Sequence, residues 1–170
     1  MKRSADIENY ATLDFEASSL SEASWPIEIG VSWLKDGELQ TWSSLIQPAP
    51  DWEISDWSTH SAAVHGISIK TLFSAPTAPA AVHALFDNLT GKVLVSDAPE
   101  FEARWLSRLL NATGHTQVPK IQDYHELSAK YFSGYALDML YESLARTPAP
   151  HRAGPDSARL AKAWHKALQY

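Results

Sequence analysis

Two carboxylates stand two residues apart in Ala11-Thr12-Leu13-Asp14-Phe15-Glu16. On a β-strand, alternation puts Leu13 and Phe15 on one face and Asp14 and Glu16 on the other. Two acids so close repel each other and lose hydration if buried. The pair suits either a solvent-exposed strand face or a shared divalent cation. Glu102 is a second anomaly, because Leu106 and Leu109 follow it at helical spacing and share its apolar face. A third feature is His151-Arg152-Ala153-Gly154-Pro155-Asp156, where a loop histidine precedes an acid in the first turn of a helix. Each residue alone has an ordinary explanation. Glu102 and Asp156 suit helix N-termini, His151 suits a solvated loop, and Asp97, just before Pro99, suits an N-cap. Four acids brought together at one end of a sheet would instead need cations, and all-oxygen ligation suits Mg²⁺ or Mn²⁺. Two such ions can clamp the attacking and leaving oxygens of a phosphodiester displacement. A nearby histidine can take the proton of the attacking water, since imidazole titrates near neutrality.

These side chains need elements to carry them. The pattern predicts a strand over Tyr10 to Phe15 and a second over Ile27 to Leu34, where Ile27, Ile29, Val31 and Trp33 alternate toward one face. Asp36-Gly37 marks a hairpin turn into a third strand, Leu39 to Ile46. After a Pro-containing loop, helices are expected over Ser58 to His65 and Ala78 to Leu89. Lys92 to Ser96 reads as a buried strand, Pro99 opens a helix to Leu110, and Val118 to Asp123 reads as a short strand. Helices follow over His125 to Phe132 and Leu137 to Ala145, and Pro155 opens a last one to Leu168. Three strands with an antiparallel hairpin, then strands alternating with helices, imply an α/β fold with a mixed sheet flanked by helices.

Composition narrows the field of partners. The 170 residues are expected to form a single domain, with its core over about 11–168. The chain carries 14 Lys+Arg and 20 Asp+Glu, a net charge of −6, which disfavours broad non-specific coating of nucleic acid. The charge is uneven. Residues 143–170 hold five basic residues against Asp156 alone, a net +4, which leaves −10 on residues 1–142. Arg146, Arg152, Arg159, Lys162 and Lys166 suit a basic rim that guides phosphodiesters, and the helical spacing of Arg159, Lys162 and Lys166 equally suits a solvated helix face. There is no cysteine, which excludes disulfides, thiolate metal sites and cysteine nucleophiles and is compatible with a cytoplasmic location. No apolar run is long enough for a membrane span, and the start Met1-Lys2-Arg3-Ser4-Ala5 lacks the apolar core of a signal peptide. The seven tryptophans read mainly as packing residues.

Taken in order, the motifs resemble those of the DEDD-type 3′–5′ exonucleases of the ribonuclease H-like fold, in the subgroup with a catalytic histidine. That group includes the polymerase proofreading epsilon subunit, ribonuclease T and oligoribonuclease. Asp14-Phe15-Glu16 matches the family's Asp-x-Glu, and His151 with Asp156 matches its His-x4-Asp. Phe101-Glu102, with Leu106 four residues after the acid, matches its Phe-Asp motif except that Glu replaces Asp. Val64-His65-Gly66-Ile67 resembles a segment that in relatives approaches the 3′-terminal nucleotide. The resemblance implies two divalent cations, Mg²⁺ or Mn²⁺. Asp14, Glu16 and Asp156 would hold one of them, and Asp14 and Glu102 the other, with Asp97 as an alternative to Glu102. It implies His151 as general base and Phe15, His65, Phe101 and Arg152 as substrate contacts. The implied activity is hydrolysis at the 3′ end of single-stranded or short RNA or DNA, releasing 5′-mononucleotides, in a chain that relatives suggest forms a homodimer. The alternative left open by Glu102 is a weak or inactive nucleic-acid-binding or protein-interaction module on the same fold.

Overall fold

A computed structural model describes residues 6–170. The reading of residues 1–5 as lacking a leader lies outside the described residues. Five strands form one sheet in the order β3-β2-β1-β4-β5. They are β1 (Tyr10–Ala17), β2 (Pro26–Lys35), β3 (Glu38–Leu45), β4 (Val93–Ser96) and β5 (Ile121–Asp123). β1 pairs antiparallel with β2, and β2 antiparallel with β3. β4 lies parallel to both β1 and β5. The helices described in full around the sheet are α1 (Thr59–His65), α2 (Ile69–Leu72), α3 (Ala78–Leu89), α4 (Pro99–Asn111), α5 (Tyr124–Tyr131), α6 (Tyr135–Arg146) and α7 (Ala153–Ala167). Among the described residues no helix is long and apolar enough to cross a membrane.

The sheet divides two cores. Leu13, Phe15, Ile27 and Ile29 pack with α3 and α4 on one side, where Trp25 stacks on Trp52. On the other side α7 lies across β1 and β2, and Trp164 stacks on Tyr124 of α5. The strand face under α7 is built from small and polar residues. Thr12 donates its hydroxyl to the Ser157 carbonyl at 2.7 Å, and Ser32 bonds the Ser157 hydroxyl at 2.9 Å.

Gly30 makes this close approach possible. A Cβ on Gly30 would lie 2.2 Å from the Ala153 carbonyl carbon, a backbone atom that cannot swing away. Gly30→Ala is therefore expected to destabilise the protein by about 3 kcal/mol, through overpacking at the helix N-terminus. Thermal denaturation should show the melting temperature falling by roughly 10 °C. An unchanged melting temperature would mean that α7 sits further from β2 than described.

The expected hairpin turn is present, with positive φ at both Asp36 (53°) and Gly37 (79°), as a two-residue hairpin loop requires. Two expectations are corrected. Asp97 does not cap α4; Ala98 occupies the cap position without a side-chain bond, and its N–H donates to the Ser96 hydroxyl at 3.1 Å. The last helix begins at Ala153, two residues before Pro155. Proline is tolerated within a first turn because its missing N–H would be unpaired there anyway. The Ala153 N–H finds a partner outside the helix, a carboxylate on β2 described below. The short helix α2 went unread because one turn leaves no periodicity to detect.

Candidate active site

β1 presents Asp14 and Glu16 on the face toward the N-terminus of α7, and the first turn of α7 brings Asp156 to them. Asp14, Glu16 and Asp156 each offer a carboxylate oxygen, and these oxygens all lie within 4.8 Å of one another. Glu102 approaches from the opposite side, on the first turn of α4. Its side chain is buried like those of Leu106 and Leu109, as its place on their stripe implied. The Phe15 backbone, between the two β1 acids, is the neighbour that favours its ionised form.

Burial and mutual repulsion dominate the electrostatics of the cluster. Burial pushes the Asp14 carboxyl well above the usual carboxylate range, and the negative charges of Glu16, Asp156, Asp97 and Glu28 push it further. Glu102 is raised by burial first, then by Asp14, Asp97 and Glu16. Glu16 is pushed up to about 7, by burial first and then by Asp156 and Glu28. Asp156 is raised by burial, against opposing hydrogen bonds and nearby positive charge. Two buried carboxylate oxygens, Oε2 of Glu102 and Oδ1 of Asp156, have no hydrogen-bond partner. Unpaired buried oxygens on clustered acids are costly unless something positive completes them. Oxygen-only donors on several carboxylates fit hard divalent cations such as Mg²⁺ or Mn²⁺. Asp97 is exposed and borders the same cavity, raising both Asp14 and Glu102 through its charge.

Asp14, Glu16, Asp97 and Asp156 lie along a cavity of about 390 Å³, also bordered by His65, His151, Trp105 and Arg159; Glu102 is not part of its lining. That volume lies within the range of small-molecule sites. His151 is exposed on the loop before α7, with φ of +56°, a left-handed conformation unusual for a side-chain-bearing residue. His65 is buried at the end of α1, and its Nδ1 accepts the Ile67 N–H at 3.0 Å. In the neutral ring the proton is therefore on Nε2, which is buried without a partner. Burial holds its pKa below the ordinary histidine value, which keeps the ring neutral.

The remaining expected contacts are placed differently. Phe15 is buried against Trp105, with ring centroids 6.5 Å apart, and only borders the cavity. Phe101 is 44% exposed but stands outside the cavity lining, and Trp105, one turn further along α4, borders the cavity instead. Arg152 also stands outside the lining, with its guanidinium committed to Glu28. Sequence reading missed two residues here. Leu20, 71% exposed at the cavity edge, follows β1 in a loop that carried no signal. Glu28 is 3% exposed and pairs in register with Glu16 across β1 and β2. Its signal was available: like charges directly opposite on antiparallel strands need a compensating partner.

No protein-family model matches the chain, and no curated protein sequence matches it significantly. Solved structures do match. The nuclease domain of 3′hExo, a DEDDh family member bound to rAMP, superposes with a TM-score of 0.69 at 18% identity, over 94% of this chain and 91% of that one. Exonuclease X in complex with 5′-overhanging duplex DNA gives 0.58 at 17%, over 94% and 91%. E. coli exonuclease I in complex with a dA16 oligonucleotide gives 0.63 at 14%, over 92% of this chain but 40% of that one. At these identities the likeness is one of fold: the chain has the ribonuclease H-like α/β fold of DEDDh-family 3′-exonucleases.

Proposed function

We propose that this chain is a metal-dependent 3′–5′ exonuclease that removes 5′-mononucleotides from single-stranded or short RNA or DNA. The observation that carries this reading is the convergence of Asp14, Glu16 and Asp156 within 4.8 Å, with Glu102 beneath, on a fold shared with 3′-exonucleases. Divalent cations held by these acids would neutralise the phosphodiester and polarise it toward attack.

The protein's own residues divide the remaining work. His151 stands at the cavity edge on an exposed loop, where it takes the proton of the attacking water. The neutral Nε2–H of His65 is a free donor for an acceptor oxygen of the terminal sugar. Leu20 and Trp105 offer apolar surface to the terminal base, which tolerates any sequence. Arg159, within the basic segment, borders the cavity and draws phosphate toward it. The small cavity and the acidic remainder of the surface favour a grip on a few nucleotides over a long duplex footprint.

A product assay tests this. With Mn²⁺ or Mg²⁺, oligonucleotides labelled at the 5′ end should shorten stepwise from the 3′ end and release 5′-mononucleotides. A 3′-phosphate on the same oligonucleotide should slow cleavage at least about tenfold, because the terminal hydroxyl's contact is lost. Binding without release, in either metal, would favour the inactive binding module instead. Parallel RNA and DNA oligomers, with free and paired ends, define the substrate class.

A further inference from the structure

Glu28 is not one of the clustered acids, yet it is among the most buried charges in the protein, at 3% exposure. Both of its oxygens are engaged. Oε1 accepts from Arg152 Nη2 at 2.6 Å, and Oε2 accepts from Arg152 Nε at 2.9 Å and from the Ala153 N–H at 3.0 Å. The two nitrogens of Arg152 that grip Glu28 form a two-point fork, the geometry that fixes orientation as well as distance. The Arg152 N–H in turn donates to Asp156 Oδ2 at 3.0 Å. Arg152 is thus anchored through its side chain to β2 and through its backbone to α7. The residue immediately before it is His151, held at φ +56°. A side-chain-bearing residue keeps that conformation only when its surroundings over-determine it. On the far side of the loop, Arg159 donates to the carbonyls of Thr147 and Leu144 and pins the end of α6. His151 therefore sits in a short span clamped at both ends.

We propose that Glu28 and Arg152 are positioning residues that form a clamp holding His151 in its working orientation. This rests on the exonuclease reading of the site. The two oxygens of Glu28 are saturated by donors, which sets it apart from Asp156 and Glu102, each of which has one buried oxygen without a partner. Arg152 acts through His151, although a resemblance in sequence alone placed it against substrate. A bidentate clamp explains why a carboxylate stands at residue 28: glutamine offers one acceptor oxygen and cannot satisfy the fork and the Ala153 N–H together.

The test uses Glu28→Gln, Arg152→Gln and the double variant, assayed on a short single-stranded oligonucleotide at saturating Mn²⁺. Each single variant is expected to lower kcat about 30-fold with KM changed less than about twofold, since misplacement of a reacting group by about 1 Å costs up to about 100-fold. The double variant should lose no more than either single one, because both break the same clamp. Amide hydrogen exchange across residues 147–153 should accelerate about tenfold or more in all three, with β1 and β4 unchanged. The Mn²⁺ midpoint in a thermal-shift titration should stay within about twofold of wild type. Turnover within twofold of wild type in Glu28→Gln would overturn the clamp. So would additive losses, or a rise in KM confined to Arg152→Gln, which marks direct substrate contact. A kcat loss matched by an equal loss of Mn²⁺ affinity would reduce Glu28 to a purely structural role. If wild-type protein releases no nucleotide, the exonuclease reading falls, and unaltered exchange at residues 147–153 in Glu28→Gln then overturns the clamp separately.

Discussion

Replacing Asp14 with asparagine is expected to abolish nucleotide release while making the metal-free protein more stable. Asp14 and every other member of the cluster act on one another through their charges. Burial and the charges of Glu16, Asp156, Asp97 and Glu28 all push its carboxyl upward. It also weighs on Glu102 more than any other charge does. An amide keeps the size and removes both the charge and the capacity to hold a cation tightly. Turnover should fall by about 10³-fold or more, the scale seen when a central catalytic group is lost. Relief of like-charge repulsion should add about 1 kcal/mol to the metal-free fold, raising its melting temperature by roughly 3 °C. The opposite signs are the diagnostic result, because a residue kept for packing would lose stability when changed. Turnover within tenfold of wild type would remove Asp14 from the site. A melting temperature lowered by several degrees would make the activity loss a folding defect.

The residues that sequence made legible are those whose chemistry conflicts with their local environment. Asp14 and Glu16 alternate with Leu13 and Phe15, and the pleat of β1 does place the first two toward α7 and bury the second two. Glu102 on an apolar stripe is a conflict visible to simple periodicity, and the side chain is buried. The sheet and its flanking helices were legible because each element carries a strong period or a strong stop. The Pro155 start failed because helix entry was judged from the proline alone. The true start depends on Glu28, 125 residues away, accepting the Ala153 N–H. Placement of Phe101 against Trp105 was equally hidden, since neighbouring aromatics on one helix can divide between cavity and surface only once the helix is docked. Gly30 belongs to the same class. Within β2 it reads as a weakness, and its purpose appears only with the α7 backbone against it. What escaped the sequence is long-range pairing, where one residue's meaning is set by a partner far along the chain.

The metal-free protein is expected to lose stability as pH rises toward 8, and divalent cations should cancel that loss. Asp14, Glu16, Glu102 and Asp156 all have carboxyls raised in the folded state. Between their unfolded and folded pKa values, the folded protein holds protons that the unfolded chain has released. Stability then falls with pH. The contribution of each acid is fully present below its unfolded value and is lost as pH rises through its folded one, about 7 for Glu16. For Glu16 alone, the rise from 4.5 to about 7 is worth roughly 3 kcal/mol at full weight. Its partial exposure reduces that to roughly 2 kcal/mol. Two groups whose ordinary pKa lies below 7 work the other way. His65, lowered by burial, gains stability as pH rises toward 6.5. Asp56, lowered by the hydroxyls of Ser21, Ser19 and Ser18 against a burial effect that raises it, loses stability only at acid pH. The decline should therefore be clearest between about pH 6.5 and 8. Bound cations favour the ionised acids, so the same binding that completes the site removes the pH slope. With Mn²⁺ at about a hundred times its dissociation constant, stabilisation near 2.7 kcal/mol corresponds to roughly 8 °C in melting temperature at pH 8. At pH 5, where protons compete for the same oxygens, the shift should be under about 2 °C. Melting curves in EDTA and in Mn²⁺ at both values decide the matter. A metal-free protein that gains stability from pH 6.5 to 8, or an Mn²⁺ shift equal at pH 5 and 8, would mean that these four acids do not share one cation-binding centre. Glu16→Gln supplies the internal control: it should flatten the metal-free slope near pH 7 even where activity is already lost.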